Sequence, residues 1–245
     1  MEERIALIVG ATSSLGYSIC QQLGEDGWNL VLSARDKEEL VFISSDLEIR
    51  HSIKTYIIES DISFINFSAQ KLIKDSWQKW KKLNAVFILS GDMGNKELPE
   101  SRNIERTIKI NFTAPAQIIS EAVSLMNNTG GGNIVVVSSV AGDRGRQSNY
   151  IYGSAKSGIS QFASGIRNRL NKSKIHVMTV KPGFLDTPMT YGMESPLICD
   201  RDDAAEIIIS AMKKKKDVIY VPFFWRFIMM IIIHIPEKIF KKLKL

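Results

Sequence analysis

Residues 5–16 read Ile-Ala-Leu-Ile-Val-Gly-Ala-Thr-Ser-Ser-Leu-Gly, five apolar β-rich residues running straight into a glycine, a run of small and hydroxylated residues, and a second glycine. An unbroken apolar run of this length is what a strand covered on both faces looks like. Helical character begins near residue 15, so the strand turns directly into a helix. At such a turn, backbone N–H groups point at a bound anion and small side chains let it approach. The strict G-x-G-x-x-G spacing is absent. Gly10 and Gly16 stand here with Thr12, Ser13, Ser14 and Leu15 between them. As the first turn of an alternating chain, this favours a nucleotide phosphate over a merely geometric turn.

The same rhythm continues outward. Apolar runs at Trp28–Ser33, Lys54–Ile58, Ala85–Leu89, Asn133–Ser138, Ile175–Val180 and Val218–Val221 alternate with helical segments near 15–24, 37–50, 66–81, 102–127, 152–170 and 201–213. Alternation of this kind predicts βαβ units, hence an α/β fold with a parallel sheet of about seven strands and helices on both faces. The chain has 245 residues, which suits one domain over residues 1–221 with a C-terminal extension, 222–245, that is not a domain of its own. The stretch from Pro182 to Cys199 has no strong period and reads as a long loop near the mouth of a site.

Net charge is +6, and it is unevenly placed. From Lys213 onward, nine Lys or Arg stand against Asp217 and Glu237, while the rest of the chain is close to neutral. A basic body would indicate nucleic acid, and none is expected here. A basic, apolar end indicates an anionic membrane surface, against the plainer reading of a solvated lysine run. Cys20 and Cys199 form no CxxC motif or disulfide framework, so a cytoplasmic, reducing setting is expected.

The second strand ends in Ser33-Ala34-Arg35-Asp36. An NAD site places an acid at this strand end to hold the ribose 2′-hydroxyl. Here Arg35 follows two small residues and can pair with a 2′-phosphate, so NADPH is preferred over NADH. Asp36 either competes with that reading or caps the next helix. Asp61, with Ile62 beside it, is placed for the adenine or is a plain turn residue.

The strongest chemical signal is Ser138-Ser139 at a strand end, followed by Tyr152-Gly153-Ser154-Ala155-Lys156. Tyr152 and Lys156 are four apart and share a helical face. An ammonium near a phenol favours the phenolate and lowers its pKa from about 10. That phenol can exchange a proton with a carbonyl or alcohol oxygen, and Ser139 would orient the same oxygen. Tyr150 has no Lys four residues on and is read as packing or pocket lining.

Together these residues resemble the short-chain dehydrogenase/reductase family, a Rossmann-type doubly wound fold, over residues 4 to about 221. The resemblance implies an NAD(P)-dependent oxidoreductase with Asn111, Ser139, Tyr152 and Lys156 as its catalytic set. The spacing of Ser139 to Tyr152 selects Ser139 over Ser138. Asn111 would hold a water that links Lys156 to solvent. Pro182-Gly183 matches the family's Pro-Gly after the sixth strand, Thr187 would contact the nicotinamide carboxamide, and Lys156 would hold the nicotinamide ribose. Two departures stand out. The middle glycine of the cofactor turn is Ser14, and the family's Asn-Asn-Ala-Gly is Ile88-Leu89-Ser90-Gly91, where Ser90 and Gly91 keep the backbone contact plausible. A homodimer or homotetramer is also what the family implies.

Past the seventh strand comes an apolar run, Pro222 to Pro236, holding Arg226, and then a Lys-rich end. It is shorter than the about twenty residues that span a bilayer. It either lies in a membrane interface, at the inner face of the membrane, or folds over the substrate pocket or into an oligomer contact. This end and the Gly10–Gly16 turn are similar to the branch that includes the reductase component of decaprenylphosphoryl-ribose 2′-epimerase, whose substrate is a keto sugar on a polyprenyl phosphate. The alternatives are a reductase of 3-oxoacyl thioesters or another soluble ketone, and a non-catalytic nucleotide sensor on the same fold. Deleting residues 222–245 is expected to separate the first two.

Overall fold

The computed structural model describes residues 3–94 and 100–243. Its strands are β1 (Ile5–Val9), β2 (Asn29–Ala34), β3 (Thr55–Glu59), β4 (Ala85–Ile88), β5 (Gly132–Val137), β6 (Ile175–Pro182) and β7 (Val218–Val221). They form a seven-stranded sheet in the order β3-β2-β1-β4-β5-β6-β7, with every neighbouring pair parallel. The expected architecture is therefore the observed one, with strand ends moved by a residue or two.

Strand alternation divides the core into two layers. Ala6 and Ile8 face the helices α1 (Ser14–Glu25), α2 (Lys37–His51) and α7 (Arg201–Lys213). Ile5, Leu7 and Val9 face α3 (Ala69–Gln78), α5 (Ala114–Thr129) and α6 (Tyr150–Arg169). Both faces of β1 are thus buried, which is why its sequence reads as an unbroken apolar run.

One expected helix is broken. The segment near 102–127 is α4 (Glu100–Ile108), a π-helical turn over Lys109–Thr113, and then α5. Pro115 has no N–H to give the carbonyl four residues back, at Asn111, so the regular ladder cannot run through this point. The ladder widens here, with the Ala114 N–H on the Lys109 carbonyl. Such π turns occur mostly at functional sites. The helix expected over 66–81 is also shorter, because Ser68 caps it by accepting from the Lys71 N–H.

The Pro182–Cys199 segment is a loop with a short turn at Pro188–Thr190 and one bridge between Leu185 and Cys199. Beyond β7 the chain forms α8 (Trp225–His234) and a single turn, α9 (Glu237–Phe240). Among the described residues, no helix is long and apolar enough to cross a membrane. Residues 244 and 245 of the extension lie outside the described residues.

The basic segment seen in the sequence is divided in space. Lys213–Lys216 run from the last residue of α7 into the turn before β7, at the N-terminal edge of the sheet, where Lys213 pairs with Asp26 and Lys215 donates to Asn133. The remaining cations of the extension follow β7 at the opposite edge.

Candidate active site

Strand order reverses on either side of the β1–β4 pair, which opens a crevice at the C-terminal ends of the strands. The candidate residues from the sequence fall along this edge: the glycine turn after β1, Arg35 after β2, Asp61 after β3, Ser90 and Gly91 after β4, Ser139 after β5, and Gly183 after β6.

The glycine turn is built for close approach. Gly10 has φ +92°, a conformation that L side chains rarely adopt. The Ser13 hydroxyl donates to the Gly10 carbonyl at 2.7 Å and accepts from the Gly16 N–H at 3.0 Å, capping α1. A Cβ at Gly16 would stand 2.2 Å from the Gly10 carbonyl oxygen, so only glycine fits. Leu15 points into the core. Thr12 and Ser14 are half-buried at the turn, and Ser14 opens the helix where the family has its middle glycine.

At the end of β2, the Ser33 carbonyl receives the N–H groups of Gly10 and Ala11, while its buried hydroxyl has no partner. Arg35 is exposed. The Asp36 carboxylate caps α2 by accepting from the Glu39 N–H at 3.0 Å, so it is the helix cap and not a free strand-end acid. Asp61 accepts from the Ser63 N–H at 2.8 Å, as a turn aspartate does, and borders a cavity of about 240 Å³. The Ile62 side chain is buried in the core and leaves only its backbone for a ligand.

Two adjacent serines at the end of β5 have different tasks. The Ser138 hydroxyl donates to the Lys156 carbonyl at 2.8 Å and pairs with the Ser160 hydroxyl, fastening α6 to the sheet. The Ser139 hydroxyl bonds the Tyr152 phenol and accepts from the Ala141 N–H. Lys156 is 2% exposed, and its Nζ donates to the carbonyls of Val137 (2.9 Å) and Ser90 (3.2 Å). That Nζ lies 5.6 Å from the Tyr152 ring centroid.

The expected lowering of the phenol pKa is not what this geometry gives. Burial pushes Tyr152 up to about 12, with the Ser139 hydrogen bond working in the opposite direction. Burial also pushes Lys156 down to about 7. The reason is direct: the amine faces two backbone carbonyls, and removal from water penalises both charged forms. At neutral pH the phenol is therefore a proton donor.

Asn111 sits fully buried on the π-helical turn. Its Nδ2 donates to the carbonyls of Asp92 (2.8 Å) and Thr107 (2.9 Å), and its Oδ1 accepts from the Asp92 N–H (3.1 Å). The side chain thus braces the turn that carries Ser90 and Gly91. A Cβ on Gly91 would come 3.7 Å from both Asn111 Oδ1 and Lys156 Nζ. The Ser90 hydroxyl is buried without a partner. From the long loop, the Met189 methyl reaches within 3.8 Å of that same Cβ position, so this loop crosses the cleft. Thr187 opens the loop's short turn, its hydroxyl donating to the Leu185 carbonyl at 3.4 Å. Tyr150 is half-exposed and donates to Glu100, so it is a surface contact to α4.

Sequence reasoning left open where the C-terminal run goes; in the structure its inner face packs beside the Ser139 turn and over Pro182-Gly183. Trp225 and Met229 are buried with Val140, next to Ser139, and pack against Phe184 and Leu197 of the long loop. The Pro182-Gly183 turn is tightly covered: a Cβ on Gly183 would fall 1.9 Å from Trp225 Nε1. Arg144 holds the far end of α8, donating to the carbonyls of Ile232, Ile233 and Ile235 and to Glu237, with its guanidinium 4.0 Å from the Phe240 ring centroid. Asp143 accepts from both Lys181 and Tyr220, tying the loop after Ser139 to β6 and β7. Only the single glycine after Pro182 hinted at such a close neighbour.

Comparison with known proteins agrees with this fold. The family model described as short chain dehydrogenase matches residues 4–196. An uncharacterised oxidoreductase of Mycobacterium tuberculosis is 27% identical over 219 residues, 88% of this chain and 87% of that protein. One from Staphylococcus aureus is 25% identical over 222 residues, 89% of this chain and 94% of its own length. Among solved structures, a short-chain dehydrogenase from Sphingobium yanoikuyae in complex with NADPH superposes with TM-score 0.80 at 21% identity, covering 96% of this chain and 97% of its own. The bulky-bulky ketone specific alcohol dehydrogenase from Comamonas testosteroni gives 0.79 at 22%, covering 97% and 96%.

Proposed function

This chain belongs to the short-chain dehydrogenase family, and on that premise we propose that it is an NADPH-dependent oxidoreductase that reduces a ketone to an alcohol. The observation that carries the reading is a buried phenol hydrogen-bonded to Ser139, on the same helical face as a buried lysine. When bound, the nicotinamide supplies the hydride.

The residues present suit that cofactor. Gly10, Thr12, Ser13, Ser14, Leu15 and Gly16 form a turn that can hold a pyrophosphate. Arg35 and the unpartnered Ser33 hydroxyl suit a 2′-phosphate, while Asp36, tied up as a cap, does not compete. The unpartnered Ser90 hydroxyl, Gly91, Gly183 and Thr187 line the other end of the run. Tyr152 gives its proton to the substrate oxygen, which the Ser139 hydroxyl orients. The phenolate left behind is stabilised by the Lys156 ammonium, and Asn111 keeps the Ser90–Gly91 turn in place for that amine. The apolar outer face of α8 favours a ketone carried on a lipid, such as a keto sugar on a polyprenyl phosphate, reduced at the inner face of the membrane.

The test is Tyr152→Phe. Ketone-dependent NADPH oxidation should fall by about 10³-fold, a usual size for loss of a general acid, while NADPH affinity measured by fluorescence stays unchanged. Full turnover in the variant, or no NADPH binding by the parent, removes the assignment.

A further inference from the structure

A helix that is apolar all round is ordinarily buried all round. The helix α8 breaks that rule. Trp225 and Met229 point inward and are 3% and 0% exposed. On the opposite side Phe227, Met230 and Ile231 are 55%, 55% and 67% exposed, and Phe223, just before the helix, is 74% exposed. Ile239 and Leu243, beyond it, continue the exposed apolar surface. At roughly 200 Å² per large side chain, this surface is on the order of 700 Å², above the few hundred Å² usual on a soluble monomer.

The charge around this face is of one sign. Arg226, Lys238, Lys241 and Lys242 are exposed beside it, and the sole acid of the segment, Glu237, is paired with Arg144. We propose that the outer face of α8 and the turn after it form a docking surface for an anionic lipid bilayer, with the aromatic and aliphatic side chains at headgroup depth and the four cations on the phosphates. A second copy of this chain would have to bring a complementary acidic rim, whereas an anionic bilayer matches both the apolar stripe and the cations. The helix is anchored by Arg144 and by its inner face, so it presents this surface as a rigid plate. Because the inner face packs on Val140 and Gly183, next to two groups of candidate site residues, docking would hold that side of the candidate site near the bilayer, where a ketone on a lipid chain resides. This deepens the lipid-carried substrate reading, and it is tested without turnover.

The experiment is co-sedimentation of the full chain with vesicles of phosphatidylcholine alone and of phosphatidylcholine with phosphatidylglycerol. The parent should bind the mixed vesicles at least tenfold more tightly than the neutral ones. The Phe227→Glu/Ile231→Glu variant should lose that binding tenfold or more, while keeping its NADPH affinity and its reduction of a water-soluble ketone. Lys238→Glu/Lys241→Glu should lose the preference for anionic lipid. Lys214→Glu, at the opposite edge of the sheet, should change nothing. Failure of the parent to bind mixed vesicles overturns the proposal, as does equal binding by the Phe227/Ile231 variant. So does conversion of a dimer into a monomer by that variant with vesicle binding intact. Failure of ketone turnover with vesicle binding preserved would count against the reductase reading alone.

Discussion

Gly183→Ala would place a methyl group where the Trp225 indole now lies, 1.9 Å from Nε1 and 2.0 Å from Cε2. Neither position is compatible with a carbon, so the indole must shift or leave. A shift that keeps it buried carries the usual overpacking penalty of about 1–3 kcal/mol. Complete ejection loses the burial of roughly 200 Å² of aromatic surface, with a ceiling of about 5 kcal/mol at 25 cal/mol per Å². The expected loss is about 3 kcal/mol, which for a chain of this size lowers Tm by about 6–12 °C. Urea unfolding of the full chain should show a lower midpoint with the same slope. The decisive comparison is a double-mutant cycle. Trp225→Ala alone should cost about 3–5 kcal/mol as a large-to-small change. On that background Gly183→Ala should cost under about 0.5 kcal/mol, because the clash is gone. Equal losses in both backgrounds would show that Gly183 does not owe its identity to the indole. Loss of NADPH affinity by Gly183→Ala on the Trp225→Ala background would instead assign the glycine to the cofactor.

Arg144→Ala removes the donor to three carbonyls and Glu237 and the cation over Phe240; it should cost about 2–3 kcal/mol and expose the segment after residue 232 to limited proteolysis. Arg35→Glu should weaken NADPH at least tenfold and improve NADH, read by fluorescence titration, since the acid then meets the ribose hydroxyl and repels a phosphate. Lys156 has a folded pKa of about 7, below its unfolded value, so the unfolded state binds more protons between pH 7 and about 10. Stability should therefore rise with pH across that window, by up to about 4 kcal/mol, and Lys156→Met should flatten the rise. Tyr152, shifted upward to about 12, opposes this only above about pH 10.

The sheet was legible because burial on both faces leaves an unbroken apolar run, and the first of these, Ile5–Val9, is buried at every position. Ser139 was preferred to Ser138 on the spacing to Tyr152 that the family resemblance supplies, since either serine stands at the strand end. The protonation states were not legible. Four-residue spacing says that Tyr152 and Lys156 share a helical face, but it does not say that the amine turns to the Val137 and Ser90 carbonyls. Asn111 came from the family resemblance, which gave it a water to hold; its bonds to Asp92 and Thr107 were not legible, because the π-helical turn depends on Pro115, whose missing N–H acts on the carbonyl four residues earlier. The basic segment misled for a related reason. Composition joins Lys213–Lys216 to the terminal lysines, while a β-strand carries the chain from one edge of the sheet to the other between them.

That geometry also changes how the lipid reading must be tested. Deletion of residues 222–245 looked like a way to separate a lipid-linked substrate from a soluble one. In the folded chain it would also strip Trp225 from Gly183 and Met229 from Val140, and so remove the packing beside Ser139. A truncated protein would fail on either substrate, and the failure would say nothing about membranes. The two faces of α8 can be addressed separately because they share no side chain: Trp225 and Met229 are buried against Gly183 and Val140, while Phe227 and Ile231 are exposed. Charge on the outer pair leaves every inner contact in place. A substrate carried on a lipid should then lose turnover together with vesicle binding, while a soluble ketone should be reduced at the parental rate. If both substrates were reduced normally by a chain that no longer binds vesicles, the outer face would have no part in substrate delivery.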